Sequence, residues 1–154
     1  MAIVFDQTKY IESTKGIIKE YLQSLFPDYE ISLGLPDLSD DNLSLVKPVI
    51  SLEYSSSVNS DVKAGKVNGH GGRVKRKLLR FGIQILTTGE NSAVLERDRI
   101  AQTLEYELSR EATLQQLAKQ GLKDIDLRYV NAYRVREGVH LCRLELFAKI
   151  TMTN

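Results

Sequence analysis

The sequence has no tryptophan, one cysteine, two histidines and three prolines in 154 residues, and each scarcity closes off a class of protein. The lone thiol, Cys142, can form no intramolecular disulfide, so the chain is not a stapled secreted scaffold. With only His70, His140 and Cys142 as nitrogen and sulfur ligands, one chain cannot close a structural zinc site, which takes four. No apolar run approaches the roughly 20 residues that a membrane-spanning helix needs. The start, Met1-Ala2-Ile3-Val4-Phe5-Asp6, has no basic leader, and Asp6 and Lys9 interrupt it before a signal-peptide core is reached. The expectation is a cytosolic protein with no membrane partner. Net charge is scarce too. Lys plus Arg number 21 against 20 Asp plus Glu, a balance of +1 that exerts no global pull on nucleic acid or membrane.

What is present is an ordinary globular composition, 42% hydrophobic and 27% charged. A chain of this length fits one domain, residues 1–154, that buries roughly two-thirds of the surface its unfolded form exposes. From Thr8 to Phe26, Ile11, Ile17, Ile18, Tyr21, Leu22, Leu25 and Phe26 recur at spacings of three and four, which predicts an amphipathic helix ended by Pro27. A short extended piece, Tyr29 to Leu33, follows. Gly34 to Asn42 combines glycine, proline and three aspartates and reads as an acidic loop. Pro48 opens a strand from Val49 to Tyr54, and Ser55 to Ser60 is small and polar.

Further on, Leu79, Phe81, Ile83 and Ile85 alternate with Arg80, Gly82 and Gln84, the period of a strand over Lys77 to Thr87 with one buried face. Thr88 to Ser92 reads as a turn and helix cap, with Asn91 and Ser92 as acceptors for the first-turn N–H groups. The helix it opens reaches Ser109, with Val94, the Arg97 stem, Ala101, Leu104 and Leu108 inward. A shorter helix spans Thr113 to Gln120 and is capped by Gly121. The last third reads as a hairpin of Asp124–Arg136 and Val139–Met152 around Glu137-Gly138. A register that opposes Arg136 to Val139 also opposes Tyr133 to Cys142, Tyr129 to Leu146, Leu127 to Ala148 and Ile125 to Ile150, and buries one apolar face. The fold class expected is α+β: a mixed, mainly antiparallel sheet, an N-terminal helix, a second helix packed on the sheet, and an extended basic hairpin.

That hairpin is the one strongly biased segment. Lys63, Lys66, Arg73, Lys75, Arg76, Lys77 and Arg80 fall within eighteen positions with no acidic residue among them. One reading is an arm that touches a partner subunit or phosphate; the other is a solvated hairpin tip. Gly65, Gly69, Gly71 and Gly72 favour an arm that orders only in an assembly. Gly69-His70-Gly71-Gly72 is not a phosphate cradle, because such loops open a helix and here a strand follows. His140 and Cys142, two apart on one strand face, read as packing. Asp37, Asp40 and Asp41 lack the glycine and terminal glutamate of a calcium loop. No residue is nominated as catalytic, cofactor-binding or metal-binding, and the weight falls on a non-enzyme.

The order of elements, the length and the strand-to-helix turn at Gly89-Glu90-Asn91 resemble the tail terminator proteins of tailed bacteriophages and phage-tail-like particles. The resemblance spans nearly the whole chain and is one of architecture, not of a residue motif. It implies a structural protein made in the host cytoplasm that forms a ring, a hexamer by expectation, on the end of a completed tail tube. Such a ring stops polymerisation and offers a docking face to the head connector or, in contractile particles, to the last sheath layer. The basic stretch would then contact a neighbouring subunit or the tube, with the acidic loop at Asp37 to Asp41 as one complementary partner. The alternative is a nucleic-acid-binding module using residues 63–80, against which stand the near-neutral charge and the absence of aromatics interleaved with the basic cluster.

Overall fold

A computed structural model describes residues 3–59 and 74–153. In chain order the elements are β1 (Phe5–Asp6), α1 (Tyr10–Leu25), β2 (Glu30–Ser32), β3 (Val49–Asn59), β4 (Val74–Thr88), α2 (Asn91–Glu107), α3 (Glu111–Lys119), β5 (Lys123–Arg136) and β6 (Val139–Thr153). The class is α+β, as expected: three helices and a six-stranded sheet whose pairing is mostly antiparallel. The path across the sheet is β1-β6-β4-β3-β2, with β5 also paired to β6. Since β4 follows β6 along one edge, β1 and β5 share the other, β5 along Val139–Lys149 and β1 at Met152–Thr153. No helix among the described residues is long and apolar enough to cross a membrane.

The helices sit on one face of the sheet. Ile18 and Leu22 of α1, Ile100 and Leu104 of α2 and Leu117 of α3 meet Ile50, Leu52, Phe81, Ile83, Ile85, Leu144, Leu146 and Ile150 in one buried cluster. Each such side chain contributes about 1.5–3 kcal/mol on burial, so this layer is the main source of stability. Period three-to-four on the helices and period two on the strands deliver these residues to the same side. In α1 the inward stripe is Thr14, Ile18 and Leu22, and the Thr14 hydroxyl donates to the Tyr10 carbonyl at 2.7 Å, which lets a polar side chain sit inside it. The helix starts at Tyr10 rather than Thr8 because the Asp6 carboxylate takes both the N–H and the hydroxyl of Thr8 at 2.8 Å.

The opposite face carries a second, smaller core at one end. Val49, Leu86, Val139 and Leu141 are covered by Leu35, Leu38, Leu43 and Leu45 from the connection between β2 and β3, with Val135 from β5. The acidic loop is therefore a lid whose leucines point in and whose aspartates point out.

Three expectations need correction. Ser55 to Asn59 continues β3 instead of forming a polar link, because β4 offers a partner along Ser56–Asn59 and a bulge after Tyr54 absorbs the misfit. The first turn of α2 is not capped by a side chain; Glu90 precedes it in an extended conformation and Ala93 N–H donates to the Glu90 carbonyl at 2.9 Å. Within that helix Ala93 and Ile100 share the buried stripe with Arg97, Ala101 and Leu104, while Val94 is half-buried.

The third concerns the C-terminal hairpin. Its turn is where the sequence puts it: Arg136 opposes Val139 and Gly138 has φ +76°. Away from the turn the register slips one residue at each of three bulges, so Tyr133 opposes Leu141, Tyr129 opposes Leu144 and Leu127 opposes Leu146. Ala132, not Tyr133, faces Cys142. Each extra residue on β5 increases its twist and turns side chains outward. One bulge moves Tyr133 to the face away from the helices, while Tyr129, beyond two, keeps the helix side opposite Leu144; both, with Val130, are exposed.

The short helix is as expected. It ends where Gly121, at φ +100°, lets its N–H and that of Leu122 reach back to the Ala118 and Leu117 carbonyls at 3.0 Å. Here glycine is required twice over, since a Cβ would lie 2.7 Å from the Phe5 ring.

Candidate functional site

The basic stretch divides. Lys63, Lys66 and Arg73 lie outside the described residues, and so does the expectation that the arm orders only on assembly for the part before Val74. From Val74 onward the stretch is a central strand, paired with β6 along its whole length and with β3 from Lys77. Lys75, Arg76, Lys77 and Arg80 are therefore held by a hydrogen-bonded ladder in the chain by itself.

Strand alternation sends these four cations to opposite sides. Lys75 and Lys77 share the side of Leu79 and Phe81, toward the helices. The Lys77 ammonium lies 5.1 Å from the centre of the Tyr10 ring, and the Tyr10 hydroxyl is 3.4 Å from that of Ser57. The Ser57 hydrogen bond, with Lys77 adding to it, lowers the Tyr10 pKa. Arg76 and Arg80 project from the other side, where Arg80 forms an ion pair with Glu145 of β6.

That second side is a ladder of mixed charge. Arg128 pairs with Asp126 at 3.0 Å and lies over Phe147 at 4.7 Å, and Lys149 is 3.6 Å from Asp124. Exposed pairs of this kind contribute about 0–1 kcal/mol each. Their larger effect is to cancel the field that the basic residues would otherwise project.

The acidic loop lies at the far end of the sheet. Asp37 accepts from the N–H and hydroxyl of Ser39 at 2.9 and 2.6 Å, and Asp40 accepts from Asn42 N–H at 3.0 Å. The Ser39 bonds hold the Asp37 carboxyl below the usual carboxylate range. Arg136 donates to the carbonyls of Leu38 and Asp40. Arg136 is opposite Val139, whereas Val74 is opposite Thr153, so the loop and the start of β4 occupy opposite ends of the sheet. Among the described residues no three His, Cys, Asp or Glu side chains cluster as metal ligands do.

His140 and Cys142 are both packing residues, as their spacing predicts. His140 Nε2 donates to the Gly89 carbonyl at 3.0 Å, while Gly89 N–H donates to the Gly138 carbonyl at 2.9 Å, so the β4–α2 turn and the hairpin turn are laced together. Cys142 is buried, and that burial pushes its thiol up to about 11, away from nucleophilic duty at neutral pH.

The feature that the sequence did not disclose lies between α2 and β5. An open cleft of about 330 Å³ is lined by Arg97, Asp98, Ala101, Gln102, Glu105 and Tyr129. Arg97 is only 8% exposed and lies along its floor, with its Nε and Nη2 3.0 and 2.9 Å from Asp98 Oδ1. The Tyr129 hydroxyl is raised in pKa by burial first and then by Cys142 beneath it. Leu95, Tyr129, Val130 and Tyr133 are exposed in these same two elements. Tyr129 and Tyr133 read as one inward strand face; a bulge of β5 moves Tyr133 to the other face, while Tyr129 stays on the helix side and lines the cleft. The signal in the sequence was Leu95, an apolar residue on the outward side of α2.

Comparison with known proteins found no family model that matches the chain and no curated protein that matches it.

Proposed function

We propose that this chain is a ring-forming structural protein of the tail terminator type, which caps the end of a phage or phage-like tail tube and halts its growth. The observation that carries the reading is the element order: an N-terminal helix, a strand, a basic connection into a long central strand, a second and third helix, then a C-terminal hairpin. Apart from the short strands β1 and β2 and the short helix α3, this is the order on which the resemblance to tail terminators rests. The sheet supports it as well. The outer edge of β5 and the part of β3 beyond its β2 partner are on opposite sides of one sheet, and neither has a strand partner among the described residues. Surfaces at opposite sides allow identical copies to meet head to tail, and such contacts close into rings.

The nucleic-acid reading is weaker on a specific ground: Arg80 is spent on Glu145 and Lys77 on the Tyr10 ring. The test is electron microscopy of the purified protein mixed with tail tubes polymerised from the tube protein of the same genome, alongside mass photometry of the protein alone. Rings seated on tube ends are expected. A chain that stays monomeric and never marks a tube end overturns the proposal, and salt-dependent binding to generic duplex DNA would replace it with the alternative.

A further inference from the structure

We propose that the cleft between α2 and β5 is the seat for the basic end of a second copy of this chain, which places a lysine or arginine side chain against Glu105 and the Tyr129 ring. The inference rests on the ring reading and names the contact by which the ring closes.

The cleft has the chemistry of a cation seat. Asp98 is already neutralised by Arg97, so the carboxylate left to meet a newcomer is Glu105, with the Gln102 amide and the Tyr129 ring beside it. A long cationic side chain suits such a slot, its stem along the ring and its head on the carboxylate. Exposed Leu95 on α2 and Tyr129 on β5 add the apolar and aromatic character typical of interface centres. Among the described residues β5 pairs only with β6, which leaves its outer main chain without a strand partner there for an added segment.

Charge identifies the occupant. Residues 90–111 hold six acidic side chains, Glu90, Glu96, Asp98, Glu105, Glu107 and Glu111, against three arginines, 97, 99 and 110. The stretch from Lys63 to Arg80 holds seven cations and no acid. Of these acids Asp98 and Glu105 line the cleft, and with Asp98 held by Arg97 the open carboxylate there is Glu105, which a basic segment of another copy complements.

Within one copy Lys75 and Lys77, the described cations on the side of the helices, do not reach the cleft. Lys75 is opposite Met152 and Tyr129 is opposite Leu144, eight residues apart along β6, or about 26 Å at the rise of a strand. The two surfaces also differ from one another, so the contact is heterologous, the kind that builds rings.

A charge-swap experiment on the full chain tests this. One variant carries Gln102→Lys with Glu105→Lys, the other Lys66→Glu with Lys75→Glu, and thermal melting verifies that each remains folded. In sedimentation and native mass spectrometry at about 0.15 M salt, each alone is expected to associate at least tenfold more weakly than the parent, a loss typical of like charges forced together. An equimolar mixture is expected to regain assembly in particles containing both variants alternately. Glu105→Gln serves as the milder check, with an expected weakening of roughly three- to tenfold. If both reversed variants assemble like the parent, or if the mixture stays dissociated, the docking inference falls while a ring built on other contacts stands. If the parent itself is monomeric at every concentration and on tubes, the ring reading falls and takes this inference with it.

Discussion

The guanidinium of Arg136, at the end of β5, donates to the main-chain carbonyl of Leu38, a residue 98 positions earlier, and also to that of Asp40. The bond ties the end of β5, at the C-terminal hairpin turn, to the loop that covers the second core. Arg136→Ala should lower stability by about 1–3 kcal/mol, the usual cost of losing charged hydrogen bonds to buried or half-buried acceptors. Arg136→Lys should recover only part of it, because one ammonium cannot present the two parallel donors. Urea denaturation measures the loss. Faster amide exchange from Leu38 to Leu45, with little change in α1, would localise it to the lid.

Gly121 makes a sharper prediction. Its φ of +100° and the 2.7 Å approach of the Phe5 ring to an added Cβ oppose any side chain. Gly121→Ala should cost about 1–3 kcal/mol, and the deficit should shrink when Phe5 is also cut back to leucine. A double-mutant cycle that shows strict additivity would mean the backbone strain alone matters.

Tyr21 is a case where removal should help. Its hydroxyl is buried with no hydrogen-bond partner among the described residues, beside a cleft lined by Ile17, Glu20, Gln116 and Gln120. Tyr21→Phe should be neutral or stabilising by up to about 1 kcal/mol, since the desolvation cost of the hydroxyl disappears. Burial, aided by Glu107, raises this phenol to about 12 from its ordinary 10. Its neutral form is favoured in the fold, so its contribution is full below pH 10 and is lost as pH rises toward 12. The phenylalanine variant should show a shallower alkaline decline in melting temperature than the parent.

Cys142 should behave in parallel at lower pH. With its thiol raised from 9 to about 11, the unfolded chain ionises first, so stability falls between those values as pH rises. Labelling by a thiol reagent at pH 8 should proceed only through opening of the structure, and mild denaturant should accelerate it by more than tenfold. Immediate stoichiometric labelling of the native protein would contradict the burial.

Much of this architecture was written in local pattern. Phe81, Ile83 and Ile85 announce a strand by period two, Ile18 and Leu22 a helix by period four, and Gly121 and Gly138 two of the places where the chain takes a positive φ. Harder to read were features decided by partners. Ser55 to Asn59 is a strand only because β4 lies alongside, and Phe5–Asp6 only because the end of β6 is left uncovered by β5. The three bulges of β5 leave no mark in composition, yet they decide that Tyr133 opposes Leu141, on the face away from the helices, and that Tyr129 opposes Leu144 beside the α2–β5 cleft. The basic stretch was conspicuous, but its division between two sides of a central strand, with Arg80 neutralised by Glu145, follows from a register that no local rule supplies.

The parallel pairing of β1 with the end of β6 puts Phe5 beside Met152, and Met152 is in turn opposite Lys75. Three places where the described chain breaks off, before residue 3, after residue 153 and between 59 and 74, therefore gather at one end of the sheet. A purification tag or fluorescent protein joined directly after Thr153 would crowd Lys75. The hairpin turn at Glu137-Gly138, at the opposite end, is the safer point of attachment, and a short linker joining the first and last residues would give a permuted chain with that turn as its new opening.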